Sequence, residues 1–179
     1  MKLYLARHGE TDWNAQGLIQ GQTDIPLNET GRAQARALGE LLRNQNLRFD
    51  AVYASPLSRT KRTAELAVPN VQIILDARLG ERSLGELEGQ PLSRLRELEG
   101  DLFDLVQNVS EHQVEPIRDF HARAQAFLDF LRASHPADVT ILAVASRGFM
   151  RRIHTIVTGE PSNVPVFENA KVYLYEIPD

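Results

Sequence analysis

Strand-type and helix-type segments alternate along the 179 residues of this chain. The segment that constrains the fold most is 139–145, an unbroken apolar run typical of a strand that is buried on both faces of a parallel sheet. Shorter apolar runs at 2–6, 51–54, 71–75 and 172–177 are also predicted strands. The alternation predicts an α/β fold, a three-layer sandwich in which helices flank a largely parallel central sheet.

Amphipathic helices are predicted between these strands. One begins near Glu29, after a turn-rich stretch, and the apolar face predicted for it consists of Ala33, Ala37, Leu38, Leu41 and Leu42. Further helices are expected from about residue 58, over 117–133 and from residue 149.

Two segments between these elements are harder to interpret. Residues 79–89 include three glycines and alternating charges, which predicts a loop that is not part of the core. Leucines within 91–115 indicate a helix that is interrupted at Gly100. Because no internal repeat, low-complexity tract or linker is present, we expect a single domain over residues 1–179.

Charge and composition restrict the possible classes of function. The chain has 20 basic and 24 acidic residues, a net charge of −4, and a pI of about 5.8. A nucleic acid or an anionic membrane would find no general basic surface on such a protein, so we expect neither as a partner. The absence of cysteine excludes disulfides, thiolate metal sites and cysteine nucleophiles. No stretch is apolar enough for a signal peptide or a membrane span, and we expect a cytoplasmic protein.

Basic and nucleophilic residues follow three of the predicted strands. Arg7 and His8 follow the first strand, residues 55–59 follow the second, and Arg147 follows the apolar run at 139–145. Because the carboxyl ends of parallel strands meet at one edge of a sheet, these groups should lie close together. The planar guanidinium of arginine matches the oxygens of phosphate. The sequence therefore predicts a phosphate-binding pocket at this edge.

The motifs around these residues resemble those of one enzyme family. The similar segments are Leu5-Ala6-Arg7-His8-Gly9-Glu10-Thr11 with Trp13-Asn14, then Gly21, Asp24, Pro26-Leu27, Gly31 and Gln34-Ala35, then Ser55-Pro56-Leu57-Ser58-Arg59-Thr60 with Thr63-Ala64, then Leu79-Gly80-Glu81-Arg82 with Gly85 and Glu88-Gly89, and finally Asn169. They occur in the family's order along nearly the whole chain. The chain is identified on this basis as a member of the histidine phosphatase (phosphoglycerate mutase-like) superfamily.

The resemblance implies a mechanism. His8 would be a nucleophile that forms a phosphohistidine, which water then hydrolyses. Arg7 and Arg59 would bind the phosphoryl oxygens and lower the pKa of His8 by disfavouring its imidazolium form. Glu81 would protonate the leaving oxygen and later deprotonate the attacking water.

The same resemblance implies the remaining ligands of the phosphoryl group. Asn14 and the turn at Gln20 and Gly21 would add neutral hydrogen-bond donors. Neither a metal nor a cofactor is expected, because the arginines supply the positive charge.

One position departs from the family pattern. In the fourth motif a strand is followed by Ser-His-Gly, whereas this chain has Ser146-Arg147-Gly148. Aligned in this way, Arg147 takes the place of the family's second histidine and would bind substrate as a donor; a shift of one residue would place Ser146 there instead. The longer charged side chain could displace the phosphate from in-line geometry or pair with Glu81, and either effect would impair catalysis.

Several functions stay open. The leading one is a phosphomonoesterase that acts on a small phosphorylated metabolite, because the chain looks more like the compact phosphatase branch, which includes α-ribazole phosphatases, than like the longer mutases. The alternatives are an inactive protein that binds a phosphorylated ligand and a phosphoglycerate mutase-type phosphotransferase. The oligomeric state is unknown. His154 is expected to be structural, and His112, His121 and His135 are expected at the surface.

Overall fold

The computed structural model describes residues 1–94 and 113–178. At its centre is a five-stranded sheet in the order β3-β2-β4-β1-β5. The strands are β1 (Lys2–Arg7), β2 (Ala51–Ala54), β3 (Ile73–Leu75), β4 (Thr140–Ala145) and β5 (Val172–Glu176). The pairs β1–β4, β4–β2 and β2–β3 are parallel, and β5 is antiparallel to β1. The predicted α/β fold with a largely parallel sheet is confirmed.

Helices cover both faces of this sheet. The covering helices are α2 (Glu29–Asn44), α3 (Ser58–Ala67), α4 (Ile117–Ser134) and α5 (Arg147–Thr158), while the short α1 (Asp12–Ala15) buries no residue. Apolar residues of α2 and α3 form one core with Leu142 and Val144, while α4 and α5 form the other with Ile141 and Ala143. Alternate side chains of β4 therefore enter opposite cores, as the unbroken apolar run predicts.

The carboxyl ends of β1, β2 and β4 lie at one edge of the sheet. Arg7 of β1 pairs in register with Ala145 of β4, and Ala54 of β2 pairs with Val144. These three strands consequently end together, and the residues that follow them emerge at the same edge. Every helix within residues 1–94 and 113–178 is too short or too polar to be a membrane-spanning segment.

The buried face of α2 differs from the prediction. Its buried residues are Gly31, Ala35, Leu38, Gly39 and Leu42, whereas Ala33, Ala37 and Leu41 are exposed. The reason is close packing against α3, since a Cβ atom at Gly39 would lie 2.5 Å from the carbonyl oxygen of Ala67. The glycines mark the side of closest approach, which a hydrophobic pattern does not detect.

The segment 79–89 also differs from the prediction, because it is a loop that contributes to the core. It contains two short 3₁₀ turns, one ending at Leu79 and one at Gly85–Leu87. Leu79 packs in the core with α4 and α5, while Leu84 and Leu87 form a small third core with Ile19. The predicted helix with its break at Gly100, and His112, lie outside the described residues.

The contact between α2 and α3 gives a prediction about stability. We expect Gly39→Ala to lower the free energy of unfolding by about 1–3 kcal/mol, despite the better helix propensity of alanine, because the added methyl group overlaps a backbone carbonyl. Urea denaturation measures this change. The matched control is Ala37→Leu on the exposed side of α2, for which we expect a change within about 0.5 kcal/mol. A Gly39→Ala protein as stable as the unmodified one would contradict the close packing.

Candidate active site

The backbone of His8 is fixed at the end of β1 by hydrogen bonds to β4 and to the loop before β5. Its N–H donates to the carbonyl of Ala145 at 3.0 Å, and its own carbonyl accepts a bond of 2.9 Å from Nδ2 of Asn169. The next residue, Gly9, donates its N–H to Oγ1 of Thr63 on α3. The imidazole is buried, with 3% of the residue exposed. β4, α3 and the loop before β5 therefore fix the position of this side chain.

The protonation state of His8 follows from its contacts. Nδ1 lies 2.7 Å from the carbonyl oxygen of Gly9, which can only accept, so Nδ1 carries the proton and Nε2 keeps its lone pair. Burial lowers the pKa of His8 well below its usual value, and the charges of Arg59 and Arg7 lower it further. The ring is consequently neutral at physiological pH, with Nε2 available as a nucleophile.

Two guanidinium groups flank His8, that of the buried Arg59 and that of the half-buried Arg7. Arg59 of α3 has no exposed surface, and it donates from Nη1 to the carbonyl of Thr23 at 2.8 Å and from Nη2 to that of Gly21 at 2.7 Å. Arg7 donates from Nη1 to the carbonyl of Phe167 at 2.9 Å. Within residues 1–94 and 113–178, neither arginine forms an ion pair, and the buried Nε of each has no acceptor.

The positive charges of Arg7 and Arg59 are available to an anionic ligand. Burial lowers the pKa of Arg7 to about 10, and Arg147 and Arg59 act in the same direction, while Glu81 and Tyr173 raise it. The pKa of Arg59 is also lowered, chiefly by burial. Removing two like charges from water without a counter-ion is costly, and a bound dianion would remove that cost. The pair therefore forms a site for phosphate or a similar group.

Neutral donors border this site. Oδ1 of Asn14 lies 3.2 Å from both N and Oγ1 of Thr11, which leaves Nδ2 as the part of the amide that can donate to a ligand. Oε1 of Gln20 lies 3.0 Å from Oγ1 of Thr11. The carbonyl of Gly21 accepts from Arg59, and the predicted role of this turn as a donor to the ligand stays a prediction.

Glu81 reaches the site through contacts with the beginning of α5. Its Oε2 accepts from the N–H of Gly148 at 2.8 Å, and its Oε1 accepts from the N–H of Arg82 at 2.9 Å. A Cβ atom at position 148 would lie 2.2 Å from Oε1, so only glycine allows this approach. The negative charge of Glu81 raises the pKa values of Arg7 and Arg59, which places it close to both.

Arg147 is the first residue of α5 and is exposed. Its charge is the second cause, after burial, of the lowered pKa of Arg7, so it faces the same pocket. Both members of the ion pair envisaged from the sequence, Arg147 and Glu81, are described residues, and no ion pair joins them. The carboxylate is bound by backbone N–H groups instead.

All eight residues predicted from the sequence line one cavity of about 540 Å³. They are Arg7, His8, Asn14, Gln20, Gly21, Arg59, Glu81 and Arg147. No group of three or more histidine, aspartate and glutamate side chains suited to a metal ion occurs in the described part of the chain, residues 1–94 and 113–178.

Several supporting residues were missed in the sequence. The carboxylate of Glu88 accepts from the N–H groups of Gln22, Thr23 and Leu84 at 2.8–2.9 Å, and it thereby fixes the loop whose carbonyls hold Arg59. Nη1 of Arg123 on α4 donates to the carbonyl of Gly80 at 2.6 Å and Nη2 to that of Glu81 at 3.1 Å. Glu88 stands in a recognised motif, but the sequence does not show what it binds. No pattern in the sequence indicates the role of Arg123.

The histidines outside the site have structural contacts. His154 is buried and bonded to the hydroxyl of Tyr175 and the carbonyl of Asn163, in agreement with the structural role expected for it. His121 is exposed as predicted. His135 differs, because it is half-buried and lies 2.8 Å from the hydroxyl of Tyr53.

Comparison with known proteins agrees with the geometry. The family model of the histidine phosphatase superfamily (branch 1) matches residues 3–179. The curated fructose-2,6-bisphosphatase TIGAR of Xenopus tropicalis is 39% identical over 136 residues, which are 72% of this chain and 49% of that protein. The chain thus spans about half the length of this relative.

Solved structures share the fold over most of their length. A candidate alpha-ribazole-5'-P phosphatase from Escherichia coli has a TM-score of 0.76 at 27% identity, covering 90% of this chain and 81% of that one. A phosphoserine phosphatase from Entamoeba histolytica, in complex with 3-phosphoglyceric acid, has a TM-score of 0.78 at 27% identity, covering 97% and 89%.

The buried neutral state of His8 gives a prediction for stability against pH. The pKa of His8 is lower in the folded than in the unfolded protein, so the unfolded state binds more protons once the pH falls below about 6.5. The folded protein therefore loses stability as the pH decreases through this range. Relative to His8→Asn, we expect the unmodified protein to lose more stability, on the order of 1 kcal/mol, between pH 7.5 and 5.5, measured by urea denaturation. Equal losses of stability in both proteins would contradict the lowered pKa of His8.

Proposed function

The chain belongs to the histidine phosphatase superfamily, and from this premise we propose that it is a phosphomonoesterase that hydrolyses a small phosphorylated metabolite through a phosphohistidine at His8. One observation carries the proposal: the neutral imidazole presents Nε2 to a cavity lined by Arg7 and Arg59, and neither arginine forms an ion pair with a carboxylate within residues 1–94 and 113–178. Two of the relatives named above, a fructose-2,6-bisphosphatase and a phosphoserine phosphatase, are phosphatases by name, which supports the same class of reaction, whereas other relatives are named as probable phosphoglycerate mutases.

In the first step, the phosphoryl group of the substrate would lie between Arg7 and Arg59. The lone pair of His8 Nε2 attacks phosphorus as the bond to the ester oxygen breaks. Glu81, in its carboxylic acid form, gives its proton to that oxygen, and the alcohol leaves. The guanidinium groups stabilise the charge on the phosphoryl oxygens and need no reorganisation, because backbone carbonyls already hold them.

In the second step, water restores the enzyme. The Glu81 carboxylate takes a proton from a water molecule, whose oxygen attacks phosphorus as the bond to Nε2 breaks. The electron pair of that bond returns to His8, and inorganic phosphate is released. The close approach of Glu81 to the N-terminus of α5 supports this role, because it holds the carboxylate beside the site.

Arg147 would bind the phosphoryl group where other members of the family have a second histidine. Its exposed side chain faces the cavity, and its positive charge would favour binding of the dianion. An interaction that binds the substrate as strongly as the transition state does not raise kcat. This residue therefore also favours a second candidate function, a protein that binds a phosphorylated ligand without turnover.

The volume of the cavity, about 540 Å³, is in the range of pockets that bind small molecules, which supports a small metabolite as the substrate. The net charge of −4 argues against nucleic acid or an anionic membrane as a partner. A cytoplasmic location and independence from metal ions are parts of the same proposal.

Hydrolysis of p-nitrophenyl phosphate in buffer with EDTA tests the proposal. We expect turnover by the unmodified protein and a loss of about 1,000-fold or more in His8→Ala, because the nucleophile is removed. We expect Arg147→His to raise kcat by up to about tenfold, since a neutral donor removes surplus ground-state binding. Arg62→Ala is the matched control, as this exposed arginine lies on the same helix as Arg59 and pairs with Glu65.

Two outcomes would contradict parts of the proposal. Activity that survives in His8→Ala would exclude His8 as the nucleophile. Activity confined to Arg147→His would contradict turnover by the unmodified protein and favour the second candidate function.

A further inference from the structure

The peptide group between Gly9 and Glu10 is held by hydrogen bonds at both of its polar atoms. Its carbonyl oxygen, that of Gly9, lies 2.7 Å from Nδ1 of His8 and determines which nitrogen of the ring carries the proton. Its N–H, that of Glu10, donates to Oε1 of Gln34 at 2.9 Å. One chain of hydrogen bonds thus runs from Gln34 on α2 through this peptide group to the imidazole.

The beginning of α2 packs closely against this peptide group. The backbone N–H of Asn28 donates to the carbonyl of Glu10 at 3.0 Å, and Nδ2 of Asn28 donates to Oε1 of Glu10 at 2.9 Å. A Cβ atom at Gly31 would lie 2.6 Å from the backbone nitrogen of Glu10, so the two backbones are in contact here. The contact brings the side chain of Gln34, one turn further along α2, to the peptide N–H.

This chain of hydrogen bonds has two physical consequences for His8. The N–H and C=O of a trans peptide group point in opposite directions, so an acceptor that fixes the N–H also fixes the direction of the carbonyl. A bond accepted from the N–H also polarises the amide and strengthens its carbonyl as an acceptor. The partner of Nδ1 in turn sets the tautomer of the imidazole and the orientation of its ring.

Gln34 can act on the reaction only through this peptide group. Among the described residues that line the cavity are His8 and Glu10 but not Gln34. The phosphate site between Arg7 and Arg59 does not depend on Gln34, because those arginines are held by the carbonyls of Phe167, Thr23 and Gly21. An effect of Gln34 should therefore fall on the nucleophile and leave the binding of phosphate unchanged.

We propose that Gln34 is a positioning residue for His8. By accepting the N–H of Glu10, it aims the carbonyl of Gly9 at Nδ1 of the imidazole, which keeps Nε2 unprotonated and directed at the phosphoryl group. This inference rests on the proposed function in one respect, that His8 is the nucleophile. The control of the tautomer and of the ring orientation is independent of turnover and is measured without it.

Two substitutions of Gln34 separate its hydrogen bond from its shape. Gln34→Met keeps the length of the side chain and removes the oxygen that accepts from Glu10. Gln34→Glu keeps an oxygen acceptor, which is a stronger one because it is charged. Gln45→Met is the matched control, since Gln45 is exposed at the C-terminal end of the same helix.

Nitrogen-15 NMR of protein with labelled histidine measures the tautomer of His8, and the spectrum of His8→Asn identifies its signals among those of the five histidines. In the unmodified protein we expect an Nδ1 proton that exchanges slowly with water. In Gln34→Met we expect this exchange to be about three- to tenfold faster, because the acceptor of Nδ1 is weaker and less well oriented. In Gln34→Glu we expect slow exchange and a resonance further downfield.

Kinetics with p-nitrophenyl phosphate distinguish positioning from a general structural defect. We expect kcat to fall about 10- to 100-fold in Gln34→Met, because a misdirected nucleophile reacts slowly. We expect the dissociation constant of inorganic phosphate, measured by calorimetry, to stay within about threefold, because Arg7 and Arg59 keep their contacts. Gln34→Glu should recover most of kcat, and Gln45→Met should equal the unmodified protein.

The outcomes separate this proposal from the proposed function. An Nδ1 proton or a kcat that is unchanged in Gln34→Met would overturn the positioning role and leave His8 as the nucleophile. Equal losses of kcat and phosphate affinity would also overturn it, because they indicate a general structural defect. An altered Nδ1 proton in a protein that does not hydrolyse p-nitrophenyl phosphate would support the positioning role and contradict the proposed catalysis.

A second comparison decides if Gln34→Met does not fold, as shown by thermal denaturation. The Nδ1 proton of His8 is then compared between the unmodified protein and Gln34→Glu. A downfield shift in Gln34→Glu would support the positioning role, because the stronger acceptor then acts through the peptide group on the imidazole. An identical resonance in the two proteins would overturn it.

Discussion

Two guanidinium groups beside one buried imidazole are the constraint on which the site depends. Arg7 and Arg59 donate to backbone carbonyls, so their positions are fixed although their charges are not neutralised by ion pairs within residues 1–94 and 113–178. The same charges, after burial, keep His8 neutral. Much of the surrounding structure supports this arrangement, from Glu88, which orders the loop under Arg59, to Asn169, which holds the backbone of His8.

Arg147 adds positive charge to a site that is already rich in it. Its effect on the pKa of Arg7 shows that the two guanidinium groups interact. A histidine at this position could be neutral, whereas arginine keeps its charge at any physiological pH. We therefore expect the protein to bind phosphate groups tightly and to release them slowly. The balance between affinity for phosphate groups and the rate of their release distinguishes an active phosphatase from a protein that only binds its ligand.

The sequence predicted the edge of the sheet better than the loops around it. The strand before Arg7 and the apolar run before Ser146 are local patterns, and parallel pairing then brings their ends together. The bonds of Glu81 and the burial of Arg82 depend on Arg123 and Glu115, which lie more than 30 residues away. Side-chain to backbone bonds of this kind have no periodicity, so no pattern in the sequence reveals them. The glycine-based contact of α2 was missed because a hydrophobic pattern does not detect glycines.

The covalent intermediate tests the central claim most directly. The protein would be mixed rapidly with a phosphorylated substrate, quenched in alkali, in which phosphohistidine is stable, and digested for mass spectrometry. The account predicts phosphate on the peptide that contains His8. With p-nitrophenyl phosphate, whose leaving group needs no proton from Glu81, it predicts more of this phosphate in Glu81→Gln, because water is then not activated. Substrate hydrolysis without phosphate on that peptide at any time point would contradict the account.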